Sequence, residues 1–261
     1  MIRPATPFTD LNELLARLVE GVRQILGDNF CGAYLQGSFA VGDADEHSDV
    51  DFIAVTEPEV TAEQLARLQA LHARLFALPS SWAQHLEGSY VPRARLRRKD
   101  GEQYWFLDNG STELVRDTHC NTELVRWVLR EHAVTLDGPD PSTLVDPVTT
   151  EQLRAEARAM ADEYVAWAHQ EPTSRWKQPY LVTTFCRILH TLETGCLVSK
   201  QAALEWARGE LPNEWRDLVQ RALDDRPDPW RRVHEPADEA IVAETLAFAD
   251  WVVSRTRLST R

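Results

Sequence analysis

The chain has 261 residues, 43% of them apolar, and 28 Lys and Arg against 41 Asp and Glu leave a formal net charge of −13. That length holds one large domain or two modest ones, the acidity argues against a nucleic-acid polymerase with its basic phosphate track, and no run of about 18 apolar residues offers a membrane span. The N-terminus lacks the apolar region of a signal peptide, and Cys31, Cys120, Cys186 and Cys196 form no CxxC or zinc spacing, so they read as free thiols in a reducing cytoplasm.

Residues 10–27 begin the pattern of elements: Leu11, Leu14, Leu15, Leu18, Val22, Ile25 and Leu26 form one helical stripe, and Gly27 is a stop signal. Strands are predicted at 32–37 and 50–56, and a helix at about 61–77 before Pro79. A third strand is predicted at 83–91, antiparallel to the second. The basic run Arg93 to Lys99 reads as a loop or hairpin, 102–107 as a further strand, and 121–132 as a helix. Gly138-Pro139-Asp140-Pro141 and Asp146-Pro147 then make a turn-rich stretch. Beyond it only helices are predicted, near 149–169, 179–196, 199–208, 212–224 and 237–256, with the loop Asp225-Arg226-Pro227-Asp228-Pro229 before the last. The expected architecture is a mixed-sheet α+β domain over 1–148 followed by an all-helical domain over 149–261. Clefts between domains are common ligand sites.

The chemistry concentrates in residues 37–52. Gly37-Ser38 follows the apolar Tyr34-Leu35, an acidic loop comes next, and then Ser48-Asp49-Val50-Asp51-Phe52 runs into the apolar Ile53-Ala54-Val55. In a strand, Asp49 and Asp51 share a face. Two carboxylates beside an apolar core need neutralising, which a magnesium ion carrying a bound polyphosphate does. A solvated acidic turn accounts for Asp43, Asp45 and Glu46, but accounts poorly for Asp51. Gly37 and Ser38 form a turn through which backbone N–H groups approach phosphate, and Ser48 is a further candidate for that contact.

This Gly-Ser, spacer, Asp-x-Asp pattern resembles the nucleotidyltransferase superfamily that includes DNA polymerase β. Arg130-Glu131-His132, Gly138-Pro139, Asp146-Pro147-Val148, Arg187-Ile188, Thr194-Gly195, Lys200 and Trp206-Ala207 extend the likeness over about residues 30–225, to the aminoglycoside 3″/9 adenylyltransferases. The resemblance implies a magnesium-dependent transfer of AMP from ATP to a hydroxyl of a cationic aminocyclitol or aminoglycoside antibiotic of streptomycin or spectinomycin type, by a cytoplasmic monomer. It makes Glu87 the general base, with His85 as a weaker rival. It also makes Lys200 a ligand of the triphosphate and Trp105 a surface for the acceptor to stack on. Read without it, Glu87 is an edge-strand glutamate, Lys200 a solvated lysine and Trp105 a packing residue. The family has acidic residues before the second helix of its second domain. Here that stretch is Thr173-Ser174-Arg175-Trp176-Lys177-Gln178, with Glu171 further back. Arg175 and Lys177 therefore keep open another small-molecule or protein hydroxyl as acceptor. A toxin-antitoxin-type binding module without turnover is the third reading.

Overall fold

The structure is a computed structural model that describes residues 4–170, 172–225 and 233–258. Glu171 and most of the Pro-rich loop at 225–229 lie outside the described residues. The chain divides into two compact units, Met1–Val148 and Thr149–Arg261.

The first unit is built on a six-stranded sheet of order β5-β4-β3-β2-β1-β6. The strands are β1 (Phe30–Leu35), β2 (Val50–Thr56), β3 (Leu86–Pro92), β4 (Tyr104–Leu107), β5 (Leu114–Asp117) and β6 (Val134–Asp137). Helix α1 (Thr9–Leu26) buries the seven apolar residues of its stripe. The second long helix, α3 (Ala62–Phe76), starts on a capping box in which Thr61 and Gln64 satisfy each other's backbone N–H groups. Both pack on the sheet face formed by Leu35, Phe52, Ala54, Tyr90 and Leu107. The alternate residues Tyr34, Ile53, Val55, Val91 and Phe106 form a second core on the opposite face, with Leu129 of α5 (Glu123–His132). This period-2 partition along β2 decides which side chains can meet.

Three expectations change. The third strand runs parallel to the second, not antiparallel, pairing Val50 with Leu86 through Thr56 with Pro92. The intervening α3 is the reason: a helical crossover carries the chain back to the end of the sheet where β2 began. Arg93–Leu96 is a short helix, α4, rather than a hairpin. Gly37–Val41 is likewise a short helix, α2, closed by Gly42 in the left-handed conformation (φ 76°). Strands β5 and β6 were not anticipated; they edge the sheet and are four residues each.

The second unit holds α6 (Thr150–Gln170), α7 (Lys177–Thr194), α8 (Lys200–Glu210), α9 (Arg216–Asp225) and α10 (Glu239–Leu258). Helix α7 packs against the other four. Its Leu181, Phe185, Cys186 and Ile188 meet Ala203, Leu204, Val219, Phe248 and Val252 in one core. Gly195 ends α7 in the left-handed conformation, and the Ser199 hydroxyl caps α8 by accepting from the Ala202 N–H. Among the described residues no helix is long and apolar enough to cross a membrane. All four cysteines are free thiols.

Candidate active site

The site is assembled where β1 gives way to α2 and where β2 and β3 begin. Phe39 anchors α2 by packing against Phe8 and Trp82. The Gln36 N–H donates to the Asp51 carbonyl at 3.0 Å, tying the turn to the second strand. At Gly37 φ is +59°, and a Cβ there would overlap the Asp51 carboxylate. Glycine is needed here for its backbone conformation and also because that carboxylate occupies the space a side chain would take. The two ends of the signature, Gly37 and Asp51, are thus in contact.

The parallel register sets Asp51 directly beside Glu87 on the neighbouring strand. Asp49 immediately precedes β2, and its Oδ1 accepts from Asn109 Nδ2 at 2.8 Å. His85 Nδ1 donates to Asn109 Oδ1 at 3.0 Å, so the former rival of Glu87 instead orients the amide that holds Asp49. Glu87 is largely buried, and its Oε1 lies 3.0 Å from His119 Nε2. The His119 ring stacks on Phe106 with centroids 4.7 Å apart and planes at 22°. Burial disfavours the charged imidazole, but the Glu87 hydrogen bond and charge, then Asp51 and Asp117, outweigh it and raise its pKa. Asp108, next to Asn109, has its pKa raised by burial and by the charge of Glu87. Beneath them the Cys120 thiol is pushed up to about 12 by burial, with Glu87 and Asp51 also raising it. Negative charge is crowded at this spot, which suits a cation.

Among the described residues no three or more His, Cys, Asp or Glu side chains form a ready-made metal cage. Magnesium does not need one, since it takes one or two carboxylates and completes its octahedron with phosphate oxygens and water. Asp49 and Asp51 fit that demand, with the space over Asp51 kept clear of a side chain by Gly37.

Other anticipated residues are placed differently. The Ser48 hydroxyl is engaged within its own loop, accepting from the Asp45 N–H at 2.9 Å and donating to Asp45 Oδ1 at 3.2 Å. Trp105 pairs with Tyr90 across β3 and β4, so it shares a face with Phe52 and Leu107 and not with Asp51 and Glu87. Its parity in the strand is the physical reason, and the Arg116 guanidinium covers its ring at 4.4 Å. The structure does not bring Trp105 to the carboxylates. Lys177 is buried, donating to the Trp167 carbonyl at 2.8 Å with its ammonium 3.7 Å from the Trp167 ring centroid. Arg175 pairs with Glu235 at 2.7 Å. Both cations, the ground for leaving another acceptor open, are thus engaged by groups of the helical unit itself. Lys200 is exposed at the first turn of α8. Asp108, Asn109 and His119 were missed. Asp108-Asn109-Gly110 after a predicted strand is a turn signal that could have flagged the first two; nothing local marks His119.

The nucleotidyltransferase domain model matches residues 15–99, and the model of the aminoglycoside adenylyltransferase C-terminal domain matches 143–252. A spectinomycin 9-adenylyltransferase of Staphylococcus aureus is 24% identical over 211 residues, which cover 76% of this chain and 78% of that protein. An aminoglycoside (3″)(9) adenylyltransferase of Klebsiella pneumoniae is 30% identical over 93 residues, 36% of this chain and 34% of that one. The crystal structure of spectinomycin adenyltransferase AAD(9) from Enterococcus faecialis with ATP and spectinomycin matches with a TM-score of 0.72 at 15% identity, covering 93% of this chain and 98% of that chain.

Proposed function

From a chain that belongs with the aminoglycoside adenylyltransferases, a nucleotidyltransferase domain joined to their C-terminal domain, we propose that it moves AMP from ATP to a hydroxyl of an aminocyclitol or aminoglycoside antibiotic, so conferring resistance. The observation that carries this reading is the junction of Gly37, Asp51 and Glu87: a glycine turn against one carboxylate, with a second carboxylate beside it on a parallel strand.

Each residue then has a role. Gly37 and Ser38 form the turn whose backbone N–H groups approach the triphosphate. Asp49, held by Asn109, and Asp51 bind magnesium, which supplies charge neutralisation and polarisation at the α-phosphorus. Glu87 takes the proton of the acceptor hydroxyl as it attacks, a contribution of ~10²–10⁴-fold. Lys200 of the second unit is assigned to the triphosphate through its place after Thr194-Gly195 in the family pattern. The acidic surroundings of Glu87 and Asp108 favour an acceptor bearing ammonium groups. A cytoplasmic monomer using magnesium and ATP completes the reading.

The test is incubation of the purified protein with magnesium, ATP and a panel of spectinomycin-, streptomycin- and neomycin-type compounds, read by mass spectrometry. One added AMP on an aminocyclitol is the expected result, and Glu87→Gln should bind nucleotide normally while transfer falls by at least ~10²-fold. No adduct on any member of the panel overturns the acceptor class. Parallel losses of binding and rate in Glu87→Gln would make Glu87 a metal ligand instead of a base.

A further inference from the structure

His119 comes to Glu87 on a segment pinned at several points. Its backbone N–H donates to Asp117 Oδ1 at 2.7 Å. Cys120, which follows it, is buried and accepts from the Gln36 amide at 3.8 Å. Asn121 is buried too, donating to Asp100 Oδ1 at 2.8 Å and to the Glu102 carbonyl at 2.7 Å. The backbone on both sides of His119 is therefore held, and the Phe106 ring fixes the imidazole plane. The result is one directed contact, Nε2 to Glu87 Oε1 at 3.0 Å. A carboxylate has two oxygens and free rotation about its last bond. Held by one oxygen, it presents the other in a defined direction.

We propose that His119 is the positioning residue of the transfer reaction: it clamps Oε1 of Glu87 so that the remaining oxygen faces the acceptor hydroxyl. The proposal rests on Glu87 being the base. A general base is effective only within hydrogen-bond reach of the proton it removes, and a misplacement of about 1 Å costs on the order of 10²-fold. His119 acts through Glu87 and touches no reacting atom.

Two substitutions separate the donor from the ring. His119→Gln keeps an N–H donor and removes the stack on Phe106; His119→Phe keeps the stack and removes the donor. The expected result is a kcat about tenfold or more lower in His119→Phe, with the KM values for ATP and acceptor within about twofold of wild type, and most of the rate retained in His119→Gln. In the Glu87→Gln background, His119→Phe should cause no further loss, because the group it positions is gone. A His119→Phe variant with wild-type kcat overturns the proposal, as does a rise in acceptor KM alone, which would make His119 an acceptor contact. Independent, multiplicative losses in the double variant overturn it too. If Glu87→Gln by itself keeps full activity, the base assignment fails first, and the two failures are thereby told apart. Far-UV circular dichroism and the melting temperature of each variant check that the fold is retained.

Discussion

Gly37→Ala, compared with Gly42→Ala, tests the link between the glycine turn and the metal-binding carboxylate. Both glycines have positive φ, +59° and +76°. An alanine at either position is strained by about 1–2 kcal/mol. For a chain of this size that lowers Tm by about 2–8 °C. The two sites differ in what surrounds them. A Cβ at Gly42 meets nothing within 4 Å, whereas a Cβ at Gly37 overlaps the Asp51 carboxylate. Relief of that overlap moves either the carboxylate or the turn by about 1 Å, which predicts a kcat loss on the order of 10²-fold for Gly37→Ala. Gly42→Ala should lose comparable stability and keep its rate within about threefold, since strain alone leaves Asp51 in place. Initial rates of pyrophosphate release at saturating magnesium-ATP, with melts by differential scanning fluorimetry, give both numbers. Equal rates in the two variants refute the argument that Gly37 is needed for the space over Asp51.

Asp49→Ala and Asp51→Ala should each reduce turnover by about 10³-fold with the fold intact, because several kcal/mol of charge stabilisation disappear with either carboxylate; turnover within tenfold of wild type would end the metal assignment. Lys200→Ala should weaken a non-hydrolysable ATP analogue by about 1.5–3 kcal/mol in calorimetry, the worth of one charge-assisted phosphate contact, and an unchanged Kd would return Lys200 to the solvated surface. His72 is buried, its Nε2 is 2.7 Å from the Tyr90 hydroxyl, and burial lowers its pKa from 6.5 to about 4. The unfolded chain therefore binds the proton first as pH falls. Stability is fully present above about pH 6.5 and is lost as pH falls from there to about 4, by about 3 kcal/mol in all, with no further loss from this group below. Urea melts at pH 7 and pH 4 should show a smaller difference for His72→Phe than for wild type; identical differences would remove His72 from the acid response.

The elements that could be read from the chain are those whose pattern repeats locally. The α1 stripe buries the seven residues it names because a 3.6-residue period puts them on one side wherever the helix packs. The Val-Asp-Phe-Ile-Ala-Val run makes a strand for the same kind of reason, and the two ends of the signature, Gly37 and Asp51, meet in space. Edge strands carry no such pattern. In β5 only Leu114 is buried, Val115 is 46% exposed, and β6 has no fully buried residue. Their strand conformation comes from hydrogen bonds to neighbours, β5 to the preceding strand β4 and β6 to β1, which is remote in sequence.

The site divides in the same way. Asp49 and Asp51 lie two residues apart, so the sequence by itself proposes them as a pair. The relation of Asp51 to Glu87 depends on α3 returning the chain to make β3 parallel, which composition cannot show. Trp105 is separated from the carboxylates by one step of strand parity, and that parity is set by the register of β4 on β3. Lys177 reads as an exposed cation until the Trp167 ring and carbonyl are seen around it. His119 is 32 positions from Glu87 in sequence and 3.0 Å from it in space. Local periodicity determines which side of an element is buried. The tertiary structure alone decides which buried sides meet, because that depends on chain reversals and register, and a side chain's chemical role follows from the neighbour it meets.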